Sequence, residues 1–420
     1  MEKRVNGTLD GVVVLPPSKS QAHRLLICAA LGSSPCTLAC SSVNDDILAT
    51  MRSLNALGAD IKYNDGVFTV NPVRLQRGGT LDCGESGSTL RFLMSVAAAL
   101  GADATFVGSG KLPTRPMSDL CNVLAQHGIS FRRHTAGLEL PVTCSGTLQS
   151  GKYSLPGNIS SQYLTGLLFA LPILDGDSEI EITGGLTSAS YIEMTLDALR
   201  IAGVTVDRRG DSYYIKGNQK YSLPSNLVVE GDWSSAAFWV VAGVVGKHPI
   251  VVRGVSPHSL QGDRRIIDHL RLMGAFIEIT PDGIVAMPSQ LFGTELDCTD
   301  TPDLVPILSI AAAAANGTTL FTNVGRLRFK ECDRLEAMKN VLATAGISSI
   351  VGEDTFTVVG GQPVAQCPVD SCGDHRIAMS AAVLSTISTG TTAIMGAECV
   401  AKSYPSFFED FAALGGNIME

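Results

Sequence analysis

Six glycines divide this chain into near-equal parts. Gly58, Gly128, Gly203, Gly274, Gly346 and Gly415 close the segments LNALGAD, LAQHGIS, LRIAGVT, LRLMGAF, LATAGIS and FAALGGN at intervals of roughly 70 residues. A glycine just past an amphipathic helix is where a left-handed C-cap is required. Self-similarity at a fixed period determines architecture before any motif is read, so the chain is six copies of one folding unit.

Each repeat opens with a short strand, in GVVVLP, GTLDCG, KYSLPG, NLVVEG, TELDCT and AQCPVD. A nearly all-apolar helix follows, its copies being RLLICAALG, LRFLMSVAAAL, YLTGLLFALPIL, SAAFWVVAGVV, VPILSIAAAAA and RIAMSAAVLS. A helix apolar all round is buried on every side, which predicts six helices inside and the sheets outside. After a further strand comes a second helix with one apolar face. Ile47, Met51 and Leu54, Ile266, Leu270 and Met273, and Phe407, Phe411 and Leu414 keep the i, i+4, i+7 spacing. Two strands close the repeat, with Asp65-Gly66 and Asp282-Gly283 as hairpin turns. One repeat reads β-α-β-α-β-β, an α/β architecture.

A chain of 420 residues exceeds what one hydrophobic core supports, and six repeats split into two sets of three. The sixth repeat reaches Glu420 before its hairpin can form, while the first ten residues precede the first repeat without an evident partner. The N-terminal segment is therefore expected to complete the last repeat. One lobe then comprises residues 17–231 and the other residues 1–16 with 232–420, joined by two hinge-like crossings.

The composition, 45% hydrophobic with only 6% aromatics, describes an ordinary globular protein. A net charge of -9 argues against binding nucleic acid by bulk electrostatics. The eleven cysteines form no CxxC pair, which predicts reduced thiols. No histidine spacing suits zinc and no GxxxxGK[ST] loop appears, so neither a metal nor ATP chemistry is expected. The absence of a signal-like segment and of any long apolar run predicts a cytoplasmic protein without membrane contact.

A polar cluster precedes each buried helix: Ser18-Lys19-Ser20, Ser86-Gly87-Ser88, Ser160-Ser161-Gln162, Asp232-Trp233-Ser234, Thr301-Pro302-Asp303 and Gly373-Asp374-His375-Arg376. Plain N-capping explains any one of them. Eight basic residues shift that reading, because Lys19, Arg24, Arg91, Arg115, Lys330, Arg334, Arg376 and Lys402 all fall at or near helix starts. Cations gathered at positive helix ends repel one another unless they hold polyanions, and phosphate and carboxylate groups are the expected cargo. Asp303 and Glu331 share this geography and suit proton transfer, although Asp333 and Arg334 read equally as an exposed pair.

The motifs PPSKSQAHR, SGSTLR, TRP, ISSQYLTGLL, TSASYIEMTL, VEGDWSSAAF, TPDLVP, KECDRLEAM, GDHRIAM and AKSYPSFFEDFAAL, in this order, resemble the EPSP synthase family of enolpyruvyl transferases. The resemblance spans the chain and implies a two-domain inverse α/β barrel fold, three repeats per domain, with a cleft that closes on substrates. It implies transfer of the enolpyruvyl group of phosphoenolpyruvate to the 5-hydroxyl of shikimate 3-phosphate, releasing phosphate without a cofactor, in chorismate and aromatic amino acid biosynthesis. Carried over, Lys19, Ser20, Arg24, Ser160, Ser161, Gln162, Ser188, Asp303 and Lys330 face shikimate 3-phosphate. Lys19, Gly87, Arg115, Gln162, Arg334, Arg376 and Lys402 surround phosphoenolpyruvate. Asp303 is expected to take the hydroxyl proton, Glu331 to protonate the methylene carbon, and Lys19 to assist the leaving phosphate. A monomer is expected.

Departures from the family pattern are Glu85-Ser86 where Asn-Ala or Asn-Ser is familiar, Phe92 where Pro is common, and Arg326 where some members carry Asn. Glu85 places a carboxylate near an anion pocket, and Ser86 is expected to crowd the inhibitor glyphosate and lower sensitivity to it. Two other readings stand beside this one. The sister enzyme acting on UDP-N-acetylglucosamine shares the fold but carries Lys-Asn where this chain has Lys19-Ser20, and a loop cysteine that SGKLPTRPM lacks, Cys121 lying beyond it. An inactive anion-binding scaffold needs no paired acid and base, which this chain retains.

Overall fold

A computed structural model describes the chain except for residues 75–77, 157–160, 185–188, 367 and 420. All six repeat-closing glycines lie in the left-handed half of backbone space, from φ 71° at Gly203 to 105° at Gly58. A side chain there is strained, which is why the period is written in glycine.

Among the described residues, six four-stranded sheets share one strand order. In the second repeat, Thr80–Asp82 runs parallel to Ala104–Val107, which is antiparallel to Val142–Gly146, itself antiparallel to Ile129–Arg133. The parallel pair needs a crossover, and the buried helix Gly87–Ala99 supplies it. Strands alternate as half-buried strands do: in Val67–Asn71, Phe68 and Val70 are buried while Val67 and Thr69 are exposed.

The chain divides into two compact units, a contiguous one of Lys19–Val229 and a split one of Met1–Ser18 with Glu230–Glu420. Each has its own apolar core. In the split unit the buried helices Trp233–Val245, Val305–Ala314 and His375–Leu384 pack on one another. In the contiguous unit Gly87–Ala99 packs on Ser161–Ala170, and Lys19–Ala30 on Asp45–Ala56 and Ala189–Ile201. Helices inside and sheets outside follow from the all-apolar helix sequences. Glu2–Asn6 pairs antiparallel with Thr392–Met395 and Asn417–Met419, giving the last repeat its fourth strand.

Two opening strands are interchanged relative to the repeat each was read as opening, on the sides that the expected lobes 1–16 and 17–231 already give them. Gly11–Val14 pairs with Ile250–Arg253 of the fourth repeat, and Asn226–Val228 pairs with Cys36–Ala39 of the first. Each crossing segment thus leaves its strand in the unit it departs and starts its helix in the unit it enters. The segments GVVV and NLVV are equally short and apolar, so pattern alone does not tell which sheet takes which.

The fold places six buried-helix N-termini as the ends that carry polar clusters. Plain capping accounts for part of them: Ser86 accepts from Thr89 N, Asp232 from Ser235 N and Asp374 from Arg376 N.

Candidate active site

In the contiguous unit, Lys19 opens its helix and pairs with Asp46 Oδ2 at 3.0 Å. One turn on, buried Arg24 donates to Thr195 Oγ1 at 2.9 Å, the Ser20 carbonyl at 2.7 Å and the Tyr191 carbonyl at 2.9 Å. Burial pulls its guanidinium down to about 10, the cost of a charge held by uncharged oxygens. Arg91 donates to Gln162 Oε1 at 2.6 Å and to the Pro116 carbonyl at 3.2 Å, while Gln162 Nε2 donates to Ser88 Oγ at 3.0 Å. Gly87 is walled by cations: a Cβ there would stand 2.8 Å from Arg91 Nη1 and 3.0 Å from Arg115 Nη1. Ser161 begins the helix that carries Gln162, whereas Ser160 and Ser188 lie outside the described residues.

The split unit gathers its cations around carboxylates. Buried Arg334 donates through Nε to Asp374 Oδ2 at 2.7 Å, through Nη1 to Asp303 Oδ1 at 2.7 Å and through Nη2 to Glu331 Oε2 at 2.8 Å. One guanidinium therefore bridges the expected base and the expected acid, and Asp374, fully buried, fixes it from behind. Lys330 Nζ lies 3.2 Å from Asp303 Oδ1 and Lys402 Nζ 3.7 Å from Glu331 Oε1. Arg376 Nη1 donates to the Asp303 carbonyl at 3.0 Å, and its Nη2 lies 3.5 Å from Asp303 Oδ2. Burial pushes the Asp303 carboxyl up, but Lys330, Arg376 and Arg334 outweigh it and hold the group well below the ordinary carboxylate range. For Lys330 burial prevails over Asp303, and its ammonium is lowered.

Several expectations change. The cations of the split unit do not stand as repelling like charges, because Asp303, Glu331 and Asp374 lie among them. Asp333 and Arg334 are not an exposed pair: Asp333 caps the helix Arg334–Thr344 and Arg334 is 2% exposed. The Ser86 hydroxyl is fully buried and receives Thr89 N at 3.2 Å and Thr89 Oγ1 at 2.8 Å. Phe92 is a core residue, edge-on to Phe169 at 6.0 Å between ring centres. Glu85 turns its carboxylate to Gly110, where a Cβ would meet Oε1. Arg326 Nη2 donates to the Thr299 carbonyl, bracing the chain before Asp303.

Asp46 and Asp263 escaped notice in the sequence, while Arg91 was read only as one of the helix-start cations and Asp374 only as a member of a polar cluster. The repeat itself carried a signal for two of them, since Asp46 in NDDI and Asp263 in QGDR begin the second helical segments of repeats one and four. Among the described residues no group of His, Cys, Asp and Glu is arranged to hold a metal ion.

The profile of the EPSP synthase (3-phosphoshikimate 1-carboxyvinyltransferase) family matches residues 3–411. A 3-phosphoshikimate 1-carboxyvinyltransferase of Clostridium kluyveri is 43% identical over 417 residues, covering 98% of this chain and 96% of its own. One from Clostridium acetobutylicum is 40% identical over 418 residues, with 98% and 96% covered. The solved EPSP synthase of Acinetobacter baumannii superposes with a TM-score of 0.82 at 26% identity over 100% of both chains. The enolpyruvyl transferase NikO of Streptomyces tendae shares the fold, with a TM-score of 0.78 at 18% identity over 100% of this chain and 98% of its own. The chain belongs to the EPSP synthase family of enolpyruvyl transferases.

Proposed function

We propose that the chain transfers the enolpyruvyl group of phosphoenolpyruvate to the 5-hydroxyl of shikimate 3-phosphate, releasing phosphate, as a monomeric cytoplasmic enzyme of aromatic amino acid biosynthesis. The observation that carries the reading is Arg334 joining Asp303 and Glu331 in a cluster that also holds Lys330, Arg376 and Lys402. Addition of an alcohol to an enol phosphate needs a base for the hydroxyl, an acid for the methylene carbon and cations for the anions on both reactants.

Lys19, Ser20, Arg24, Ser161, Gln162 and Lys330, with Ser160 and Ser188, take shikimate 3-phosphate in this reading. Lys19, Gly87, Arg115, Gln162, Arg334, Arg376 and Lys402 take phosphoenolpyruvate. Asp303 is too acidic to accept a proton while three cations face it. Substrate phosphate and carboxylate draw off part of that positive field, and the basicity of Asp303 rises when the reactants are in place. Asp303 then takes the 5-hydroxyl proton as its oxygen attacks the enol carbon, and Glu331 delivers a proton to the methylene carbon. Collapse of the tetrahedral adduct expels phosphate, assisted by Lys19, while the methyl carbon returns a proton to the Glu331 carboxylate as the double bond re-forms and the proton held by Asp303 leaves with the phosphate.

Phosphate release on mixing phosphoenolpyruvate with shikimate 3-phosphate tests the reading. Release with this acceptor and none with UDP-N-acetylglucosamine is expected. The opposite preference assigns the sister activity, and none with either leaves an anion-binding scaffold.

A further inference from the structure

We propose that Asp263 is a positioning residue for Arg376, holding its guanidinium between two carboxylates so that it is not committed to Asp303. Asp263 lies in the turn Gly262–Arg265, is 4% exposed, and has no part in the chemistry above. Ser234, on the first turn of Trp233–Val245, donates its hydroxyl to Asp263 Oδ2. Arg376 Nη2 lies 3.9 Å from that same oxygen and 3.5 Å from Asp303 Oδ2. With Nη1 anchored on the Asp303 carbonyl at 3.0 Å, the guanidinium is fixed at one end and shared at the other. Without the charge of Asp263, the pull of the Asp303 carboxylate is opposed less and the pair draws closer. That closure takes a cation away from the donor anion and makes the base weaker still.

The repeat architecture carries the same device a second time. In the first repeat Asp46, at the start of the second helix, grips Lys19 at the head of the preceding buried helix at 3.0 Å. Asp263 holds the similar place in the fourth repeat, and Ser234 lies one position beyond the helix head that Lys19 takes in the first. There a hydroxyl fixes the carboxylate through the same oxygen that faces Arg376.

The groups facing Asp263 are Arg376 from His375–Leu384, Asp303 from Pro302–Leu304 and Asp232 at the head of Trp233–Val245. On its own turn, Arg264 is directed to the Pro257 carbonyl at 3.0 Å and Arg265 to Asp300 at 3.4 Å. Burial pushes the Asp263 carboxyl up to about 6, with Asp303 and Asp232 adding to the rise while Arg376 and Ser234 oppose it. Below that pH the carboxyl is neutral and the tether is lost, so capture of phosphoenolpyruvate weakens on the acid side.

The inference rests on the reading that Arg376 binds phosphoenolpyruvate. Steady-state kinetics of the intact enzyme at roughly pH 5 to 8 test it with Asp263→Asn, Ser234→Ala and Arg376→Gln. Asp263→Asn is expected to raise KM for phosphoenolpyruvate about tenfold, to leave KM for shikimate 3-phosphate within about twofold, and to abolish an acid limb near pH 6 in kcat/KM. Ser234→Ala removes a hydroxyl that lowers the carboxyl, and moves that limb to higher pH. An unchanged KM for phosphoenolpyruvate in folded Asp263→Asn overturns the inference, as does an unmoved limb in Ser234→Ala should the first variant not fold. Arg376→Gln with unaltered phosphoenolpyruvate kinetics instead overturns the reading beneath it, and the inference with it.

Discussion

A buried arginine in each unit, Arg24 in the contiguous one and Arg334 in the split one, is held in opposite ways. In the contiguous unit Arg24 donates to a hydroxyl and two carbonyl oxygens. In the split unit Arg334 is forked among Asp374, Asp303 and Glu331. Uncharged partners hold a guanidinium in place and leave its charge for an incoming anion. Carboxylate partners cancel that charge, but they create groups whose protonation responds to whatever draws the cations away. The first arrangement suits a receptor for a phosphate ester, and the second suits acid and base chemistry switched on by substrate.

The largest difference is expected when each buried arginine is made apolar. Arg334→Met takes the cation from fully buried Asp374 and one of the cations from each of Asp303 and Glu331, and is expected to cost about 3–5 kcal/mol. Arg24→Met leaves only neutral acceptors and is expected to cost about 1–3 kcal/mol. Urea unfolding of the two variants measures both, and equal losses would erase the distinction.

Acid stability probes the contiguous unit through His23, buried beside Thr50 Oγ1 at 2.7 Å. Burial lowers its imidazole to about 3 from an ordinary 6.5. A folded value below the unfolded one means that the contribution is present above pH 6.5 and is lost as pH falls toward 3. By about pH 4.5 the loss is about 2–3 kcal/mol, and His23→Gln is expected to flatten that part of the stability curve. An equally steep decline in the variant would remove His23 as its source.

Gly87→Ala presses a methyl group on Arg91 and Arg115 and is expected to raise KM for phosphoenolpyruvate about tenfold, with KM for shikimate 3-phosphate little changed. Steady-state kinetics that leave both constants unaltered would show those guanidiniums to be dispensable for the donor. At the small end, Arg200→Ala breaks an exposed helical pair with Asp197 and is expected to alter stability by less than about 0.5 kcal/mol in the same urea titration.

The period of the fold was legible because one residue type suits one backbone: each of the six glycines sits where φ is positive. Burial of the six central helices was legible because aliphatic residues recur on every face of them, polar residues gathering mainly toward their starts. The exchange of Gly11–Val14 and Asn226–Val228 was not, since strand pairing is set by the neighbouring chain and either segment fits either sheet. At the site, the cations and the carboxylates Asp303 and Glu331 were visible as residue types at helix starts. Their mutual neutralisation was hidden, because Asp374 meets Arg334 across 40 positions of sequence and Asp303 across 31. Asp263 and Asp46 escaped notice because each resembles an ordinary first-turn acid until its partner comes into view.

The division of labour is tested most directly by Asp303→Asn, which keeps the shape of the side chain and removes its charge. Calorimetry is expected to find both reactants binding within about threefold of the native affinity, while single-turnover chemistry falls by about a thousandfold. Turnover within about tenfold of native, or loss of binding equal to the loss of rate, would show that Asp303 is not the base.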